Sequence, residues 1–164
     1  MGKVIKGIFF LIAIFLFLNG CHSSVEKEDM FQFKNSYVGD NGAVGHITRQ
    51  LPSPKGEHIS GLELKTTEEP YGIIVNYRNK EITEEIEKNY KETALYNATF
   101  ILALVKNADW VKFNFIEKEY KITRAELQNW YGKDVREFIN EEELSAFIQA
   151  HLKDKNGVNQ FFNE

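Results

Sequence analysis

The chain has a single cysteine among 164 residues, so no intrachain disulfide can form and the fold must rest on a hydrophobic core. It also lacks an excess of positive charge. The formal net charge is −4, and without Lys3 and Lys6 it becomes about −6, which leaves no basic field for nucleic acid or for anionic lipid headgroups. With 3 prolines, 43% hydrophobic and 13% aromatic residues, the composition excludes a disordered or low-complexity chain. Motifs that announce an activated nucleophile or a zinc hydrolase, such as G-x-S-x-G and H-E-x-x-H, are absent. No two histidines lie within five residues of each other and no second cysteine exists, so no metal and no cofactor are expected.

No apolar run exceeds the eleven residues from Ile8 to Leu18. As a helix this run reaches only about 16 Å, roughly half of a bilayer's hydrocarbon core, which is too short for a permanent span. Preceded by Lys3 and Lys6, it reads as the apolar region of a signal peptide. It ends in Leu18-Asn19-Gly20-Cys21, which resembles a lipobox: a large apolar residue three positions before an obligatory cysteine, with a small residue beside it. Asn19 departs from the small residue usual at its position. The resemblance implies cleavage before Cys21 and attachment of diacylglycerol to its sulfur, which also accounts for the lone thiol of an exported chain. The expected partner is therefore the membrane, through a lipid anchor on the extracytoplasmic face of the cell membrane, together with an unknown protein or envelope ligand and no nucleic acid.

Residues 1–20 are thus expected to form the leader, 21–30 a polar flexible tether, 31–153 a single α+β domain, and 154–164 a polar C-terminal tail in which Phe161 and Phe162 either dock or fray. Ala43, Val44, Ile47 and Leu51 follow Asp40-Asn41 at helical spacing and predict a helix over 41–50, stopped by Pro52 and Pro54. Leu62 and Leu64, then Tyr71, Ile73, Val75 and Tyr77, alternate as a hairpin. Ile82, Ile86, Tyr90, Ala94, Ala98 and Leu102 predict a long central helix from Thr83 to about Lys106, apolar on nearly every side in its second half and therefore buried by more than one layer. A second hairpin follows over Trp110–Phe115 and Tyr120–Ile122. Capping signatures at Thr123 and Asn140 then open two short helices, the first ended by Gly132. The expected fold is a mostly antiparallel four-stranded sheet packed on a long central helix, with additional short helices.

Several residue groups invite chemistry, and most have a plainer reading. His46, His58 and His151 fall on a helix, a strand start and a helix end, and read as surface or half-buried residues. Glu141, Glu142 and Glu143 suit the first turn of a helix rather than calcium. Asn97 reads as a buried amide that needs partners. The stretch Asn35–Gly42 places an aromatic ring, two glycines and short polar side chains before a helix start, so Tyr37, Asp40 and Asn41 are the candidate ligand- or partner-binding residues. A helix cap at Asp40 or Asn41 is the simpler alternative.

From Phe33 to about Phe147 the chain resembles domain-of-unknown-function family 4825, found in Gram-positive bacterial lipoproteins. The stretches that carry this are Phe33–Asn41, Glu69–Ile73, Tyr96–Phe100, Asn107–Trp110, Ile122–Arg124 and Trp130–Gly132. The resemblance implies an extracytoplasmic, membrane-attached domain and supplies no activity. The reading is a membrane-anchored lipoprotein with a non-catalytic binding or sensing module. A cell-envelope enzyme using carboxylates such as Asp40 or Glu57 is the alternative, and an interaction protein with an apolar patch near Trp110, Trp130 or Phe161 is a third. Replacing Cys21 with serine is expected to abolish both lipid labelling and leader cleavage in pulse-labelled cells; normal processing of that variant would remove the anchor from the account.

Overall fold

The computed structural model describes residues 29–79 and 89–163, so the leader, Cys21, most of the tether and the expected start of the long helix at Thr83 lie outside the described residues. The chain begins with a 3-10 turn at Met30–Phe33, followed by α1 (Asn41–Gln50), β1 (Glu57–Lys65) and β2 (Gly72–Asn79). Then come α2 (Tyr90–Leu104), β3 (Trp110–Asn114), β4 (Glu119–Thr123) and α3 (Arg124–Tyr131). A second 3-10 turn at Val135–Glu137 leads to α4 (Glu141–Leu152) and α5 (Lys155–Phe161).

The four strands lie in sequence order, with β1–β2 and β3–β4 antiparallel and β2–β3 parallel. The expected hairpins account for both antiparallel pairs. The parallel pair follows because a helix, not a turn, connects β2 to β3, and such a crossover returns the chain in the same direction. Ile73, Val75, Val111, Phe113 and Ile122 alternate onto one face of this sheet and are all buried there.

Helix α2 covers that face. From Ala94 to Leu104 every residue except Tyr96 is buried, because the sheet packs on one side while α1, α4, α5 and the Val135 turn pack on the others. Thr99 donates to Leu95 O at 2.7 Å and lies 3.0 Å from the Tyr131 hydroxyl, and Asn97 Nδ2 donates to Pro52 O at 2.9 Å and to the Tyr77 hydroxyl at 3.3 Å, while the buried Asn97 Oδ1 has no hydrogen-bond partner among the described residues. Burial pushes both the Tyr77 and Tyr131 hydroxyls up to about 12, against the opposing pull of these hydrogen bonds.

The C-terminal end of α2 would leave carbonyls without intrahelical donors. Arg124, the first residue of α3, supplies them. Its guanidinium donates to Leu102 O, Val105 O (3.0 Å), Lys106 O (3.4 Å) and Ala108 O, with only 9% of the residue exposed. Burial lowers its pKa to about 10, so it stays charged at neutral pH and faces the negative end of the α2 dipole. Around the same loop, Asn107 Oδ1 accepts from Val38 N at 2.8 Å, Lys106 N donates to Ser36 O at 2.7 Å, and Asp109 Oδ2 accepts from Tyr71 N at 2.9 Å.

Thr123 forms the reciprocal capping box with Glu126, and Gly132 ends α3 at φ 65. Asn140 caps α4 by accepting from Glu143 N at 2.8 Å. Asp134 caps the second 3-10 turn, and the Arg136 side chain donating to it at 2.6 Å holds its carboxyl well below the usual carboxylate range.

Of the two outcomes open to Phe161 and Phe162 in the polar segment 154–164, docking is the one seen. Residues 155–161 form α5, Val158 is buried, Phe161 packs against Trp130 at 5.4 Å, and Phe162 packs against Tyr120 at 4.7 Å. Three apolar side chains in a polar segment suffice because rings already exposed at Trp130 and Tyr120 offer them a surface.

Removing the Arg124 guanidinium strands several buried carbonyls at once. Arg124→Leu is expected to lower stability by about 3 kcal/mol in urea unfolding, with Arg124→Lys intermediate because one ammonium cannot reach all four acceptors; a loss under about 1 kcal/mol would contradict the role assigned to it.

Candidate functional site

Within the Asn35–Gly42 stretch, Asp40 caps the helix that follows. Asp40 Oδ1 accepts from Ala43 N at 3.0 Å, so its own carboxylate occupies the start of α1. Asn41 is the exposed first residue of that helix, and Tyr37 stands 55% exposed with the Lys106 ammonium 5.8 Å from its ring centre. Cys21 lies outside the described residues.

Glu57 is a different case from Asp40. It is 3% exposed, accepts from the Tyr90 hydroxyl at 2.5 Å and from Ile116 N at 3.3 Å, and thereby joins the start of β1 to the start of α2 and the β3–β4 turn. Tyr90 stacks on Phe115 at 4.9 Å. The alternation rules that located β1 carried no signal for this buried carboxylate, because a glutamate at a strand start reads as solvated.

Two clefts among the described residues have walls that do not include Tyr37, Asp40, Asn41 or Glu57. One, of about 330 Å³, opens at the N-terminal end of α2 between Tyr90, Lys118, Tyr120 and α5, and its walls are tied together by Lys155 with Glu92 and by Lys91 with Asn159. The other, of about 450 Å³, runs along Glu141, Glu142, Ser145, Ala146 and Gln149 on α4. Among the described residues no three His, Cys, Asp or Glu side chains are placed to hold a metal. The three glutamates at 141–143 all stand in the first turn of α4.

The surface with organised polar chemistry is the sheet face turned away from α2. Strand register places three rows across it: Gly61, Asn76, Asn114 and Glu119; Glu63, Ile74, Lys112 and Lys121; and Lys65, Gly72, Trp110 and Thr123. Asn114 Nδ2 donates to Asn76 Oδ1 at 2.7 Å, Asn76 donates on to Glu63 at 3.3 Å, and Lys65 meets the same glutamate at 2.8 Å. Lys112 pairs with Glu119 at 2.7 Å. Lys65 and the donated Asn76 bond hold Glu63 ionised, with its pKa lowered.

Trp110 closes one end of this face. Its indole lies over Gly72, where a Cβ would fall inside the ring, its Nε1 donates to Pro70 O at 2.9 Å, and Lys121 approaches to 4.5 Å from the ring centre. Gly72 is therefore required by close approach, not by backbone conformation. Trp110, Trp130 and Phe161 are all half-buried and in ring or hydrogen-bond contact, so they form no common exposed apolar patch.

Gly72→Ala must displace the indole, and it is expected to cost about 2 kcal/mol in chemical denaturation, most of which disappears when Trp110→Ala is the background. Equal losses in both backgrounds would show that the glycine is needed for another reason.

Comparison with known proteins places this geometry in a family without giving it a role. No curated protein matches the chain, and no solved structure does. A family profile described as a domain of unknown function (DUF4825) matches residues 30–125, from the first 3-10 turn through the sheet to the second residue of α3. Trp130–Gly132 and the remaining helices lie beyond that match. The matched span is more than half of the sequence, and on it the chain belongs to the DUF4825 family.

Proposed function

We propose that this chain is an extracytoplasmic lipoprotein, held to the cell membrane by diacylglycerol on Cys21 after removal of residues 1–20, and that its domain is a non-catalytic binding or sensing module. The attachment is supported by the position of the only cysteine directly behind eleven apolar residues. The binding role is carried by the outer sheet face, which bears the Glu63–Asn76–Asn114 hydrogen-bond ladder and, at one end, the Trp110 indole over Gly72. Amide donors and acceptors beside a planar ring suit a ligand that offers its own amide or hydroxyl groups, and strands hold them more rigidly than loops.

Four polar side chains within the family match serve the main chain. Asp40, Asn107, Asp109 and Arg124 all bond to backbone atoms, which favours a scaffold over a catalytic pair. Asp40 caps a helix and Glu57 is buried against Tyr90, so the carboxylate-enzyme reading gains nothing from their placement.

A photo-crosslinking side chain placed at Lys112 in intact cells is expected to give a specific adduct several-fold above one placed at Gln149 on the far side of α2, and Asn114→Ala is expected to weaken it. Equal yields at the two positions would sink the assignment of the outer face.

A further inference from the structure

The chain enters the domain at a fixed place. Asp29 caps the first 3-10 turn through Phe31 N at 2.9 Å, Met30 N donates to Glu141 at 3.4 Å, and the Lys34 ammonium donates to Phe138 O. Met30 and Phe31 are buried, so the entering segment is held against residues 138–141 rather than hanging from them. Between the two anchoring contacts stands Ile139. It is 74% exposed, the most exposed large hydrophobic side chain among the described residues.

Tyr37, at 55% exposure, is next. It follows Lys34 by three residues, a separation of at most about 11 Å from that anchoring residue. Lys106 approaches the Tyr37 ring and Lys133 the Phe138 ring, at 5.8 and 4.3 Å. An aliphatic tip, an exposed tyrosine and lysines alongside rings are the side chains that partition into the boundary between headgroups and acyl chains. The third exposed apolar residue, Ile116 at 44%, sits in the β3–β4 turn and is joined through its backbone to Glu57, away from the entering segment.

Seven residues separate Cys21 from Asp29, and the eight steps between the two can span at most about 28 Å. We propose that Ile139 and Tyr37 seat the domain on the bilayer, entering its interfacial layer and fixing which side of the domain faces outward; this rests on the lipid attachment at Cys21 proposed above. One isoleucine and one tyrosine are too little to hold a free protein on a membrane. A covalent tether makes the contact intramolecular, and a weak contact then suffices to orient the domain. Asp134, Glu137 and Glu141 alternate with Lys34, Lys133 and Arg136 along this edge, so the seating calls for no anionic lipid.

The test uses the full lipidated chain in phosphatidylcholine vesicles. With the Cys21 sulfur in a thioether, Ile139→Cys, Tyr37→Cys and Ile116→Cys each provide a single thiol for an environment-sensitive fluorophore, and all three positions are exposed enough to leave the fold intact. Labels at 139 and 37 are expected to shift to the blue and to be quenched at least threefold more strongly by a lipid-borne quencher than the label at 116. Equal quenching at the three positions, on protein that floats with the vesicles and carries the diacylglycerol mass, overturns the seating and leaves the anchor standing. Protein that stays in the aqueous fraction with an alkylatable Cys21 overturns both.

Discussion

The arrangement depends on one charge at one helix end. Helix α2 is buried nearly all round, so its C-terminal carbonyls are cut off from water, and the Arg124 guanidinium is the donor that meets them. A planar group with five N–H donors can serve several carbonyls in a fixed fan, which an ammonium cannot. Because Arg124 is also the first residue of α3, the same side chain sets where the second helical layer begins. The loop it gathers, Val105 to Asp109, in turn receives Ser36 and Val38 from one side and Tyr71 from the other.

The family match takes in stretches far apart in sequence that this loop draws together. Phe33–Asn41, Glu69–Ile73, Asn107–Trp110 and Ile122–Arg124 meet at that loop or under the Trp110 ring, and each contributes a backbone group or the side chain that satisfies one. The family match ends at residue 125, one residue after the guanidinium that ties the assembly together. Within the matched part, a sheet closes on a buried helix. The outer face of the sheet, with its amide ladder, takes no part in that closure.

Much of the fold was legible from periodicity. The 41–50 helix, both hairpins, the capping box at Thr123 and the left-handed Gly132 follow from local chemistry acting over a few residues, and the structure places them as the sequence suggests. What escaped were effects between distant positions. Arg124 is only a residue of the Thr123 helix start until the end of α2 is seen beside it, nothing in the strand pattern around Gly72 announces the Trp110 ring over it, and 154–164 reads as a tail because its apolar contacts come from rings on other helices and on the sheet. For the proposed site the gap is wider. Tyr37, Asp40 and Asn41 were singled out because a helix start with glycines is visible in sequence, whereas Asn76 and Asn114 become neighbours only through a parallel register that no local pattern encodes.

The docking of Phe161 and Phe162 redraws the practical limits of the domain. A chain cut after Lys153, where composition turns polar, would strip Val158 from its buried position and bare the rings of Trp130 and Tyr120 together. Such a fragment would carry an adhesive aromatic surface of its own making, and clumping or promiscuous capture by it would say nothing about what the intact protein recognises.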